Sequence, residues 1–138
     1  MKISRYDLDQ FDPSLLSALT EGSFFASSGF LRLWDSIGGH PVVWSAELEG
    51  ETLAVVPGIE FGMRPVKRFQ AMPDGCYGQI HFAGSITPDE WDKLAGLFSE
   101  VLMQADYVKL FLFDYYKTFA QTPDMEVLLC TTQLVDLA

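Results

Sequence analysis

VVWSAELEGETLAVVPGIEF, residues Val42–Phe61, holds two runs of β-branched and apolar residues around Glu49-Gly50-Glu51. It reads as a hairpin at the centre of a sheet. Alternation puts Trp44, Ala46 and Leu48 on one face and Val43, Ser45 and Glu47 on the other. The turn needs a residue free to take positive φ, and Gly50 supplies it. The return run Leu53-Ala54-Val55-Val56 is apolar on both faces, which suits a strand covered on both sides. Pro57-Gly58 then predicts an interruption, because proline brings no N–H to a ladder. That interruption is a bulge, a bend or an edge, with Ile59-Glu60-Phe61 as a continuation beyond it.

On the N-terminal side, Phe24–Ile37 reads as a helix capped by Ser27 or Ser28. Phe30, Leu33, Trp34 and Ile37 fall at the i, i+3, i+4, i+7 spacing of a buried stripe, and Gly38-Gly39 ends it. His40, before Pro41, reads as a helix-terminal or loop residue. Asp12-Pro13 is an N-cap with proline at the first helical position, opening a short helix that buries Leu15, Leu16 and Leu19 and ends near Gly22. Lys2–Leu8 is a first strand.

On the C-terminal side, Arg64, Lys67 and Arg68 form the basic cluster of an acidic chain. They suit either a grip on an anionic ligand or ordinary exposed strand positions. Ala71–Gly84 is rich in loop residues: Pro73-Asp74-Gly75 makes a turn, and Cys76-Tyr77-Gly78 re-enters extended chain toward Ile80 and Phe82. Tyr77 stands near glycines that permit close approach, and its hydroxyl can donate or accept; a packed turn aromatic is the plainer reading. Thr87-Pro88-Asp89-Glu90 is a capping box with proline at the first position. Trp91, Leu94, Ala95, Phe98, Val101, Leu102 and Ala105 then share one face of a helix running to about Gln104. Tyr107–Phe113 is an apolar strand, Asp114–Phe119 a short helical or turn segment, and Met125–Cys130 and Thr132–Leu137 are further strands. The order, strand, two helices, several strands, one long helix and strands again, is that of an α/β (α+β) chain with helices against a mixed sheet.

The totals exclude several classes. At 138 residues the chain reads as one domain, 1–138, with room for a core. Hydrophobic residues at 49% and aromatics at 14% argue against disorder. A net charge of −10 argues against direct nucleic-acid binding, which needs clustered Lys and Arg. No apolar run reaches the ~20 residues of a membrane span, and MKISRYDLDQ has no signal-peptide core. Cys76 and Cys130 form no CxxC, so a reduced, cytoplasmic compartment fits. His40 and His81 stand apart, so neither a metal site nor a Ser-His-Asp arrangement can be read from them, and the catalytic residues stay unassigned. Cys76 with His81 as base is the one nucleophile pairing on offer, and a loop thiol is its ordinary reading.

Taken together, Phe25-Ala26-Ser27-Ser28-Gly29-Phe30-Leu31 with Trp34, Gly39-His40-Pro41 with the hairpin to Pro57, and Met72-Pro73-Asp74-Gly75-Cys76-Tyr77-Gly78 are similar in order and spacing to the FemAB-like acyltransferases. That family is a branch of the GNAT superfamily that includes BioF2-like acetyltransferase domains. Thr131–Leu137 resembles the strand that leaves the first half of such proteins. The resemblance implies a GNAT-like fold: a mixed, largely antiparallel sheet with flanking helices. It implies two such folds in tandem and transfer of an acyl or aminoacyl group to an amine or hydroxyl. Ala138 then falls about where the second fold would begin. The Q/R-x-x-G-x-G/A loop that cradles the CoA pyrophosphate in GNAT enzymes has no counterpart in the sequence. The expectation is the first, acceptor-side half of a FemAB-like transferase, inactive alone. It holds no cofactor, acyl-CoA or aminoacyl-tRNA entering only through a second domain. Asp74, Tyr77, Arg64 and Arg68 would rim the acceptor groove, and Trp34 could stack on a ligand. The partner is a second GNAT-like domain or a second copy as a homodimer. The rival is a stand-alone binding or scaffold domain whose last strand, Thr132–Leu137, pairs with another chain.

Overall fold

The structure, a computed structural model, describes residues 1–63, 65–71, 78–84, 86–107 and 109–111. The segments expected at Asp114–Phe119, Met125–Cys130 and Thr132–Leu137 lie outside the described residues, as do Arg64, Asp74, Cys76 and Tyr77. The elements run β1 (Lys2–Asp7), α1 (Pro13–Leu19), α2 (Ser28–Arg32), β2 (Gly39–Leu48), β3 (Glu51–Phe61), β4 (Arg68–Gln70), β5 (His81–Phe82), α3 (Pro88–Gln104) and β6 (Lys109–Phe111). The described strands form one mixed sheet ordered β1-β2-β3-β4-β6, with β5 also paired to β3. Every pairing is antiparallel except β4 with β6, which run parallel with α3 in the connection between them.

The hairpin is central, as its sequence predicts. Glu49 and Gly50 take φ of 53° and 90°. Two consecutive left-handed residues joining Leu48 to Glu51 match the primed turn whose twist suits a hairpin. Of the alternatives at Pro57-Gly58, the bulge and the bend do not occur, since β3 runs straight through with Val43 opposite Pro57 and Val42 opposite Gly58, and among the described strands the position is a local edge on the side away from β2. The irregularity lies instead between Ala46 and Glu47. Proline is tolerated because β5 pairs with β3 at Ala54–Val55 and β4 at Ile59–Phe61. Pro57 falls between them, so on that side no described strand needs its missing N–H.

Gly58 is required for a different reason. A Cβ there would sit 2.5 Å from the Gln70 carbonyl oxygen and 2.6 Å from the Phe69 ring. Gly58→Ala is therefore expected to cost about 2 kcal/mol through overpacking. Urea denaturation checks it, and an unchanged midpoint would mean that the Phe69 ring yields freely.

Each sheet face has its own core. On one, Leu94, Ala95, Phe98 and Leu102 of α3 pack on Val42, Trp44, Ala46, Ala54 and Val56. Phe82 stacks on Trp91 at 5.1 Å, extending that contact toward the start of α3. On the other face, Leu16 and Leu31 of α1 and α2 cover Val43, Val55 and Ile59. Asp12 caps α1 by accepting from the Ser14 and Leu15 N–H groups, and the Ser27 hydroxyl accepts from Phe30 N–H at the start of α2. The stripe expected along Phe30, Leu33, Trp34 and Ile37 breaks up. After Arg32 the chain tightens into a 3-10 helix over Leu33–Ile37. Leu31 is buried within α2, while Leu33 and Ile37, in the 3-10 segment, are both 64% exposed. Gly38, at φ 80°, ends that turn.

Candidate functional site: a buried carboxylate beside a polar cleft

Strand alternation brings Arg5 and Asp7 of β1, Trp44 and His40 of β2, and Glu60 of β3 onto the face that also carries α3. Near the end of α3 the apolar packing gives way to charge. Glu60, only 3% exposed, receives Arg5 Nε on Oε1 and Arg5 Nη2 on Oε2, both at 2.8 Å. This is the two-point fork that guanidinium and carboxylate form best. Lys67 Nζ adds a 2.7 Å ion pair to Oε2, and the Tyr107 hydroxyl donates to Oε1. Burial alone would raise the Glu60 carboxyl, but the bonds from Arg5, Lys67 and Tyr107 outweigh it and hold its pKa at about 2. Burial, and then the bond to ionised Glu60, pushes the Tyr107 phenol well above its usual range.

The network continues outward. Arg5 Nη1 donates to Asp7 Oδ1 at 2.7 Å, and His40 Nε2 lies 2.9 Å from the same oxygen. The His40 contact, then Arg5, lowers the Asp7 carboxyl. His40, expected at a helix end or in a loop, is instead a strand residue directly opposite Glu60. It sits there because β2 begins at Gly39, whose bare backbone is needed against Trp34 and Ile59.

Beside this cluster opens a cleft of about 310 Å³ lined by Arg5, Trp44, Lys67 and the run Gln104–Tyr107. Tyr107 stacks on Phe69 at 5.6 Å and meets Trp44 edge-on at 6.4 Å. Lys67 Nζ lies 5.4 Å from the centre of the Tyr107 ring.

Of the basic cluster read from the sequence, Lys67 reaches the cleft; of the other candidates, Trp34 and Arg68 are described, and both meet Phe61. Trp34 packs edge-on to it at 6.2 Å, and the Arg68 guanidinium lies 4.9 Å over its ring. Trp34 belongs to the packing under α2, with its indole N–H buried and unpartnered. Neither residue lines the cleft. The sequence reading missed Glu60, Arg5 and Tyr107. A legible signal existed: on β3 the face Ala54, Val56, Gly58 ends in an acid, and a carboxylate continuing an apolar strand face demands a cation.

Buried His81 of β5 is separate from this cluster. It pairs with Val55, whose side chain belongs to the core under α1 and α2. Desolvation lowers its pKa to about 4, so the ring is neutral near pH 7. Cys76, its expected partner, lies outside the described residues. Among the described residues no group of three or more His, Cys, Asp and Glu could hold a metal ion, and no helix is long and apolar enough to cross a membrane.

Neither a family model nor a curated protein matches the sequence. The structure is similar to that of a ribosomal-protein-alanine N-acetyltransferase from Brucella melitensis biovar Abortus 2308, with a TM-score of 0.53 and 10% sequence identity. The match covers 99% of this chain and 98% of that one. At that identity the likeness speaks for the fold, and the fold of this chain is GNAT-like: a mixed, largely antiparallel sheet with flanking helices.

Proposed function

We propose that this domain serves acyl transfer from the acceptor side: the non-cofactor half of a FemAB-like acyl or aminoacyl transferase, with the acyl donor held by a second GNAT-like fold. The observation that carries the reading is the start of α3. A helix N-terminus receives a pyrophosphate through free N–H groups. Here Thr87 N–H and the Thr87 hydroxyl both donate to Glu90 Oε2, at 2.9 and 2.6 Å, so the helix's own carboxylate occupies the N-cap N–H. Asp89 adds a second acid in the same turn. Two negative charges in the first turn repel a pyrophosphate that this position would otherwise attract.

The buried cluster supports the same reading. With its pKa near 2, Glu60 is too weak a base to deprotonate an ammonium acceptor near neutrality. Tyr107, held protonated, serves as a hydrogen-bond donor and not as a base. The arrangement suits gripping and positioning.

Titration calorimetry with acetyl-CoA tests the proposal. The expected result is no binding and no acetylation of amine acceptors by the chain alone. A dissociation constant tighter than about 1 mM, or turnover by the isolated chain, would overturn it.

A further inference from the structure

A second cleft, of about 430 Å³, opens where α1 gives way to α2. Ser17 and Thr20 reach it from one side of α1, three residues apart. Glu21, Ser23 and Phe24 come from the connection, and Ser27 and Ser28 from the start of α2. Among the described residues no lysine, arginine or histidine lines it.

Two of its hydroxyls are committed elsewhere. Thr20 Oγ1 donates to the Leu16 carbonyl oxygen at 2.7 Å. Ser27 Oγ donates to the Phe24 carbonyl oxygen at 2.7 Å and accepts from Phe30 N–H. The hydroxyls of Ser17, Ser23 and Ser28 and the carboxylate of Glu21 have no partner among the described residues. What sets the place apart is the aromatic ring among them. Phe25 and Phe30 steady Phe24, their ring centres 5.7 and 5.3 Å away at steep angles, yet Phe24 is 70% exposed.

These groups select a ligand by chemistry. An anion would face Glu21 with no cation beside it. An ammonium only donates, so it offers the serine protons no acceptor. A sugar hydroxyl does both: it donates to the carboxylate and accepts from a serine. Where the hydroxyls are equatorial, the C–H bonds point to the faces of the sugar ring, and the negative face of an aromatic ring attracts them. We propose that this cleft binds a neutral pyranoside with equatorial hydroxyls, its C–H face on Phe24 and its hydroxyls on Glu21, Ser17, Ser23 and Ser28. The proposal goes beyond acyl transfer and stands on this cleft alone, so its failure leaves the acetyl-CoA test untouched.

The test is an NMR titration of the full chain with methyl β-D-glucopyranoside. The controls are glycerol, which has hydroxyls and no ring face, and ethylamine, which carries the ammonium. The backbone amides of residues 21–24 and 27–28 are the reporters. The glucoside is expected to shift them saturably, with a dissociation constant of about 10 mM or tighter. Each control should bind at least about tenfold more weakly. Phe24→Ala should weaken glucoside binding by about tenfold or more, and Phe24→Trp should keep it. No saturable shift with the glucoside overturns the proposal, as does equal binding of glycerol or ethylamine. The ligand comparison uses the unaltered chain, so the outcome does not depend on either variant folding.

Discussion

Replacing Glu60 with glutamine is expected to destabilise the domain by about 3–5 kcal/mol, the range for removing one partner of a buried ion pair. Glu60 holds Arg5, Lys67 and Tyr107 at once, and it is 3% exposed. Glutamine keeps the shape but leaves two cations facing each other without the charge that gathers them. The pH dependence supplies an independent reading. Glu60 falls from an ordinary carboxyl value of 4.5 to about 2 on folding. A carboxylate whose pKa is depressed by folding stabilises above its unfolded value, and that contribution is lost as pH falls through the window down to the folded value. The gap corresponds to about 3 kcal/mol, lost between pH of about 4.5 and about 2. Urea denaturation across this range should show the loss in the parent protein and a flatter limb in Glu60→Gln. A variant less than about 1 kcal/mol below the parent at neutral pH would mean that the cluster organises the cleft without holding the fold.

The residues best read from the sequence were those whose signal is local. The Glu49-Gly50 turn, the Asp12 and Ser27 caps and the Thr87/Glu90 box each depend on neighbours within a few positions, and all form as expected. The α3 stripe of Leu94, Ala95, Phe98 and Leu102 also packs as its period predicts. The stripe of α2 forms only in part: Phe30 and Trp34 pack on the core, while the α-helix stops at Arg32 and Leu33 and Ile37 of the 3-10 turn that follows are exposed. Pro57 reads as a bulge, a bend or an edge, and among the described strands it is the last of these. Its lack of an N–H matters only on a side that has a strand to bond, and the described neighbours of β3 leave that place open. The polar cluster was the least legible. Arg5 and Glu60 are 55 positions apart, and Tyr107 is 47 beyond Glu60. Only the register across β1, β2 and β3 brings Arg5 and Glu60 to one place. Arg68 was legible as a cation near the sheet, but its guanidinium lies over Phe61 and not in the cleft.

Replacing His81 with leucine is expected to separate acid sensitivity from folding at neutral pH. His81 is 7% exposed, and desolvation alone lowers its pKa from 6.5 to about 4. Its row across the sheet runs through Val55 and Ser45 to Ser4, and both serine hydroxyls are buried without partners. Nothing in that row supplies a negative charge for an imidazolium. In the unfolded chain the ring protonates near 6.5, whereas the folded chain resists it until about 4. The unfolded state therefore binds more protons throughout that window, and stability falls as pH drops. Between about pH 7.5 and about pH 4, the parent should lose about 3 kcal/mol more than His81→Leu. At the upper end leucine should cost little, because it replaces a buried neutral ring with an apolar group on an apolar face. Parallel stability curves for the two proteins would show that His81 reaches solvent or a counter-charge and would sink the argument. The two acid limbs are distinguishable because their windows barely overlap. His81→Leu should flatten the limb above about pH 4 and leave the lower one intact, whereas Glu60→Gln should do the reverse. Neutral burial of one side chain and ionised burial of the other thus act on opposite faces of the same sheet, and each variant reports on its own face.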